Sequence, residues 1–334
     1  MPRRRPPWSR RGVWERKGDG REQPWWERGR VPALVAVANA CLLVFHSAVP
    51  NEVGRSGSFL ETFLPWLGLT VPVLLCLALM RRSVVALTAL LLPVVAWIGL
   101  FGERLLPGPS PAHAHAHDVT VLQHNVSDEN PDPAGTARAL ARSRAGLIAL
   151  EELTPSAVPA FSAVLGRDYP HHAVVGTVGL WSRHPLSDVR PVDIRPEGIV
   201  GNWNRGLRAT ARMPGAEVAV YVAHLPSVRL GVTSGFSSAR RDESAVLLGA
   251  ALSAERLDRV ILMGDLNSTS DDRGLDPIAS RLSVPDAGFA FSWPAAFPLA
   301  RIDQIMTRSA TVTDLRSLPR TGSDHLPVAA RVVF

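Results

Sequence analysis

The chain has 334 residues, 46% of them hydrophobic, with two cysteines and a formal net charge of +6. That length supports one large domain or two ordinary ones, and the composition excludes collagen-like, fully disordered and disulfide-scaffold classes. The charge is uneven: residues 1–30 hold ten Arg and Lys against four acids, whereas residues 103–334 hold 23 against 24, so the larger portion lacks the broad basic field of a general nucleic-acid binder.

After the basic tail (1–30) come three apolar runs, 31–49, 63–80 and 84–101, each free of Lys, Arg, Asp and Glu and each long enough to cross a bilayer. Pro65, Pro72 and Pro93 fall inside the second and third, which membrane helices tolerate better than soluble ones. The tail and the Arg81–Arg82 pair belong on the cytoplasmic side by the positive-inside rule, and the loop 50–61, with Glu52, Arg55 and Glu61, fits the other face. Three spans then leave everything after residue 101 outside, giving a multi-pass plasma-membrane protein with a cytoplasmic N-terminus. Cys41 and Cys76 both lie in the runs, so the C-terminal portion needs no disulfide. Residues 102–117 form a stiff linker with Pro107, Pro109 and Pro111, in which His113, His115 and His117 alternate with Ala as a polar spacer.

From 118 to 334 the pattern changes to short strand-like runs at 119–122, 147–150, 178–181, 218–222, 260–263, 302–306 and 328–333, with helical stretches at 136–145, 155–165 and 238–256. This alternation predicts one α/β or α+β sandwich domain. Polar residues collect just past the strand ends: Asn125, the pair Glu151 and Glu152, His224, Asp265 with Asn267, Asp303, and Asp324 with His325. Each alone is explained as a turn residue, a cap or a satisfied core histidine. Six such ends in one domain point instead to a site built from carboxylate, amide and imidazole groups, which suits a hard divalent cation and a phosphate ester. No nucleophile elbow, zinc helix or P-loop is present. Asn202, Asn204 and Arg205 form a Trp-containing polar loop; of these, Asn204 and Arg205 are candidates for substrate binding.

The ordered motifs Gln123–His124–Asn125, Leu150–Glu151–Glu152, Ser182–Arg183–His184–Pro185, His224, Gly264–Asp265–Leu266–Asn267, Ile302–Asp303 and Ser323–Asp324–His325 resemble the endonuclease/exonuclease/phosphatase superfamily. The resemblance covers about 118–334 and implies a DNase I-like four-layer α/β sandwich, here preceded by three transmembrane helices. It also implies roles. Glu152 would be the principal ligand of Mg²⁺ (or Mn²⁺), with Asn125 beside it and Asp324 able to contribute. Asp265 would orient or deprotonate the attacking water, helped by Asn267; His325, oriented by Asp303, and His224 would act at the phosphate. Glu151 stands where the family has Gln and Ala223 where it has Thr, which leaves open whether Glu151 or Glu152 is the first ligand.

A domain tethered close to the outer leaflet meets membrane-anchored phosphorylated lipids at high effective concentration. The arrangement as a whole is similar to the VanJ-type teicoplanin-resistance membrane proteins of actinomycetes. That similarity implies hydrolysis of a lipid-linked (undecaprenyl) pyrophosphate or related cell-wall precursor, with glycopeptide resistance as the consequence. The alternatives are a tethered extracellular nuclease or phosphodiesterase and a non-catalytic membrane sensor; a nucleic-acid partner is disfavoured, and the sequence sets no oligomeric state.

Overall fold

The computed structural model describes residues 29–106, 118–231, 235–285 and 288–334, so the basic tail and the Pro/Gly/His linker lie outside the described residues except at their edges. Helices are α1 (Arg30–Val44), α2 (Ser56–Thr62), α3 (Thr70–Met80), α4 (Val84–Leu105), α5 (Pro133–Ala141), α6 (Val158–Leu165), α7 (Ala239–Ser253) and α8 (Asp276–Ala279). Strands are β1 (Val119–Asn125), β2 (Leu147–Glu151), β3 (His171–Val175), β4 (Val178–Ser182), β5 (Leu186–Pro191), β6 (Gly206–Met213) and β7 (Ala216–Ala223). They continue with β8 (Leu230–Gly231), β9 (Gly235–Phe236), β10 (Val260–Asp265), β11 (Asp303–Arg308), β12 (Thr311–Ser317) and β13 (Val328–Val333).

Two mixed sheets, ordered β12-β13-β1-β2-β4-β3 and β11-β10-β7-β6-β5, pack face to face. Side chains alternate across each strand, so Val121, Ala149 and Leu180 of one sheet meet Leu207, Val220, Ile261 and Ile305 of the other. The opposite faces are covered by helices: Leu140 of α5 and Phe161 of α6 on Leu122 and Ile148, and Leu248 and Leu252 of α7 on Leu262 and Met306. Burial on both faces explains why β1, β2, β7 and β10 read as continuous apolar runs. The layers are helix, sheet, sheet, helix, consistent with a DNase I-like sandwich.

Each expected strand is present, joined by β3, β5, β6, β12 and the short pair β8 and β9. β5 and β12 are exposed, polar edge strands with no apolar run to announce them. β6 buries Arg208, whose guanidinium pairs with Glu255 at 2.9 Å.

The three expected spans are corrected. Among the described residues one helix, α4, is long and apolar enough to cross a membrane. The first run yields only the 15-residue α1, which ends at Val44 and gives way to a 3₁₀ turn, His46–Ala48. The second is broken: Pro65 opens a 3₁₀ segment, Leu64–Leu69, ahead of α3, and Ser56–Thr62 and Leu64–Met80 meet at a 67° bend. Taken as one span, that bent pair would make a second. α1, α3 and α4 pack together through Ala36, Leu74 and Leu90, and Asn39 Nδ2 donates to Thr70 Oγ1 at 2.7 Å. Leu34, Val73, Leu91 and Val95 remain largely exposed on their outer faces.

This helical module is docked on the sandwich. The buried carboxylate of Glu61 accepts from the Arg273 backbone N–H at 3.0 Å, Nε at 2.8 Å and Nη2 at 2.7 Å. Arg104 grips Asp271 with two hydrogen bonds of 2.8 and 2.7 Å, and Trp66 Nε1 donates to the Leu299 carbonyl at 2.7 Å. The helices therefore hold the segment 271–273, which begins six residues after β10 ends on Asp265.

Candidate active site

The site gathers at the ends of β1, β2, β7, β10 and β11. β7 and β10 run parallel, which brings His224 beside Asp265; the Leu225 N–H donates to the Asp265 carbonyl at 3.0 Å. Gly264 permits this approach, since a Cβ there would stand 1.9 Å from the Ala223 carbonyl oxygen. Glu152 and Asn267 adopt left-handed backbone, with φ of 58° and 48°, an uncommon conformation that concentrates where side chains are aimed by their surroundings.

Asp265 is held at both oxygens, Oδ2 accepting from Asn125 Nδ2 at 3.0 Å and Oδ1 from the Asn267 N–H at 2.9 Å. Burial, with the Asp303 charge nearby, outweighs the opposing His325 charge and these bonds and raises its pKa to about 7. Asp303 Oδ2 lies 2.9 Å from His325 Nδ1, and Asp303 Oδ1 accepts from Gln123 Nε2 at 2.7 Å. Burial disfavours a charged His325, but Asp303 and Asp265 more than offset it and carry its pKa to about 10, so the imidazole is protonated and points Nε2 toward Asp265 Oδ2 at 3.8 Å. Asp303 correspondingly sits below the usual carboxylate range: burial pushes it up, and the His325 charge more than reverses that. His224 is the opposite case, since burial and the adjacent Arg205 drive its pKa well down and keep it neutral.

The two adjacent glutamates differ sharply. Glu151 ends β2 fully buried, accepts from Gln123 Nε2 at 2.9 Å, and is raised well above the ordinary range by burial, Asp303 and Asp265. Glu152 turns the other way and presents Oε1 to His224 Nε2 at 3.7 Å. His224 Nε2 is also 3.7 Å from Asp265 Oδ2, and it is buried without a hydrogen-bond partner among the described residues. A buried imidazole nitrogen facing two carboxylate oxygens at such distances leaves a polar gap that a cation or a phosphate oxygen would complete.

Asp265, Asp303 and His325 also bring one ligand atom each within 4.8 Å of one another, a grouping able to hold a metal. A protonated imidazole already closed on Asp303 donates and does not ligate. The remaining oxygen donors are the carboxylates of Glu152 and Asp265 and the amide oxygen of Asn125, the last already accepting from the Ser127 N–H at 3.0 Å, and such a set fits a hard divalent ion better than a soft one.

Of the residues singled out from sequence, Asn125, Glu152, His224, Asp265, Asp303 and His325 converge. Asn267 stands beside them, with its side chain donating to the Leu225 carbonyl at 2.9 Å. Asp324 is exposed and acts on His325 through its charge. Arg205 approaches His224 Nδ1 at 3.4 Å and packs over Trp203, whereas Asn204 is exposed and donates to Asn202 at 2.7 Å. Three supporting residues had no assigned role: Gln123, which bridges Glu151 and Asp303; Ser323, whose hydroxyl donates to the Asn125 carbonyl at 2.7 Å; and Arg241, fully buried in α7. A polar side chain inside the β1 run and an arginine on the apolar side of α7 were the available signals.

The pKa order predicts a bell-shaped pH profile for kcat/KM. Activity rises as Asp265 loses its proton near pH 7 and falls as His325 loses its own near pH 10. Asp303→Asn removes the carboxylate that sustains the imidazolium, so the alkaline limb moves to lower pH; an unmoved limb would contradict the assignment.

The family model described as Endonuclease/Exonuclease/phosphatase family matches residues 122–325. No curated protein matches the chain by sequence. Among solved structures, the chain is similar to sphingomyelinase C from Streptomyces griseocarneus, at 18% identity and TM-score 0.51, covering 64% of this chain and 99% of that one. A beta toxin mutant from Staphylococcus aureus with bound magnesium ions matches at 15% identity and TM-score 0.51, covering 64% and 99%. D. rerio TDP2 complexed with a single-strand DNA product matches at 16% identity and TM-score 0.54, covering 65% and 99%.

Proposed function

The chain belongs to the endonuclease/exonuclease/phosphatase family, and on that premise we propose that it is a metal-dependent phosphohydrolase acting on a phosphorylated lipid at a membrane surface. The observation that carries the lipid assignment is the junction between the two modules. An apolar cavity of about 510 Å³ lies there, lined by Trp66, Leu69, Val94 and Trp97 of the helices and by Phe289 and Phe291 of the sandwich. The loop that supplies Phe289 and Phe291 continues to Ala295, whose N–H donates to the carbonyl of Asp324, the neighbour of His325, at 2.7 Å. One loop thus borders both an apolar cavity and the reacting groups. A hydrocarbon chain gains about 0.8 kcal/mol per methylene buried. The exposed apolar faces of α1, α3 and α4 support membrane association of the helical module.

Glu152, Asp265 and Asn125 would hold the metal, which when bound neutralises phosphate charge and polarises the phosphoryl group. Asp265, in its ionised form, accepts a proton from water as the water oxygen attacks phosphorus, and the phosphorus–oxygen bond to the leaving group breaks, that oxygen departing with the bonding pair. Asn125 and Asn267 fix the carboxylate for that transfer. His325, kept protonated by Asp303, hydrogen-bonds the phosphoryl oxygens as charge builds on them, and His224 lines the opposite side.

In its finest form the reading makes the substrate a lipid-linked (undecaprenyl) pyrophosphate or related cell-wall precursor on the outer face, cleaved to give teicoplanin-type resistance. Support for this comes from the resemblance of the helix-plus-sandwich arrangement, together with the apolar junction. Phosphate release from a polyprenyl phosphate by the detergent-solubilised chain is expected to stop on chelation with EDTA and return with Mg²⁺ or, in its place, Mn²⁺. Release that persists in EDTA would overturn the metal-dependent mechanism.

A further inference from the structure

Next to the reacting groups lies a second, polar cavity of about 860 Å³, and its lining includes Arg55, Arg205, Arg229 and Arg240 but no carboxylate. It continues directly from the catalytic residues. Arg205 is the guanidinium 3.4 Å from His224 Nδ1, and Pro226, also in the lining, is two residues beyond that histidine. Arg55 is contributed by the helical module and pairs with Asp242 at 3.0 Å. Arg205 stacks on Trp203 with its charge directed at the site, where Glu152, Asp265 and Asp128 act on it. Arg229 and Arg240 are exposed to the cavity and have no carboxylate partner among the described residues. The first residues of the 15-residue α7 border the same space; its first turn carries Asp242, to which the Ser238 hydroxyl donates at 3.1 Å.

Arg55 is already paired with Asp242 and Arg205 faces the acidic site, but Arg229 and Arg240 have no carboxylate partner among the described residues, and an anion between them would relieve their mutual repulsion. Guanidinium forks match phosphate oxygens two by two, and a helix N-terminus favours the same charge. We propose that this cleft is a subsite for a second phosphate group of the substrate, so that the chain acts on diphosphates in preference to monophosphates. This inference rests on the phosphohydrolase reading and goes further by assigning residues to the phosphate that does not react.

The test uses the intact, detergent-solubilised chain and the double substitution Arg229→Ala/Arg240→Ala. Calorimetric titration with inorganic pyrophosphate in EDTA needs no turnover. Binding by the unaltered chain that weakens at least tenfold in the double variant is expected; absence of binding, or equal binding by both, would overturn the subsite. In turnover, the variant should raise KM for farnesyl diphosphate about tenfold with kcat retained and leave farnesyl monophosphate unchanged. Equal changes for both substrates, or a loss seen only in micelles containing anionic lipid, would assign the arginines to general attraction or to neighbouring headgroups and overturn the proposal. Pyrophosphate binding without any turnover would instead strike the phosphohydrolase reading and leave the subsite standing.

Discussion

Replacing Asp265 by Asn lowers turnover about 10²- to 10⁴-fold, the range for losing a positioned general base, while the fold persists. The substitution is isosteric, and the amide oxygen can still accept from the Asn267 N–H. What disappears is the proton acceptor and one charged ligand atom. Burial already penalises this carboxylate, holding its pKa near 7, so removing its charge offsets the loss of the hydrogen bond that Oδ2 accepts from Asn125. The checks are phosphate release under saturating Mg²⁺ and the unfolding temperature of the same preparation. Turnover within tenfold of the unaltered chain would remove Asp265 from the chemistry.

Arg241→Ala unfolds the chain more easily and slows it as well. Arg241 is fully buried, pairs with Asp272 at 2.8 Å and Asp242 at 2.6 Å, and donates to the Asn267 carbonyl at 3.2 Å. Truncation leaves Asp272 buried without its cation, a loss of about 3–5 kcal/mol. At roughly 2–4 °C per kcal/mol for a domain of this size, the unfolding temperature falls by about 10 °C. The same guanidinium ties Asn267, next to Asp265 in the site, to α7 and to the segment gripped by Glu61 and Arg104, so kcat is expected to drop even at temperatures where the variant is folded. A double-mutant cycle with Asp272→Asn isolates the pair: the second substitution should cost little once Arg241 is gone. Full additivity would show that the two do not act together.

Much of this architecture is written in local patterns. β1, β2, β7, β10 and β13 announce themselves because they are buried on both faces, and a continuous apolar run is the physical signature of that position. The chemistry-bearing residues were legible for a related reason: a strand that stops on Asn125 or Asp265, or one residue before Glu152 or His224, sets a polar side chain at a rigid point. β5 and β12 were silent because an edge strand needs no apolar face. Hydropathy read the segment 31–101 as three spans, because composition records apolarity and not where a helix ends. Pro65, the end of α1 at Val44 and the 67° bend divide those runs into shorter pieces. Gln123 and Arg241 were missed for another reason: each works through partners distant in sequence, Asp303 and Asn267, that only the folded chain brings near.

Glu151 shows the same limit. Sequence named Glu152 the principal ligand but left Glu151 open as the alternative, because nothing local separates two adjacent carboxylates. The separation comes from the backbone: Glu151 is the last residue of β2 and points into the sandwich, and the positive φ of Glu152 swings its side chain to the His224 side.

The central claim, that this site hydrolyses a phosphorylated lipid, is tested most directly by offering one preparation of the intact chain two substrates side by side, a polyprenyl diphosphate in mixed micelles and plasmid DNA, each with Mg²⁺. The account predicts phosphate release from the lipid that is lost in Asp265→Asn, with the DNA left intact. Cleavage of the DNA without lipid turnover, or lipid turnover indifferent to Asp265→Asn, would contradict it.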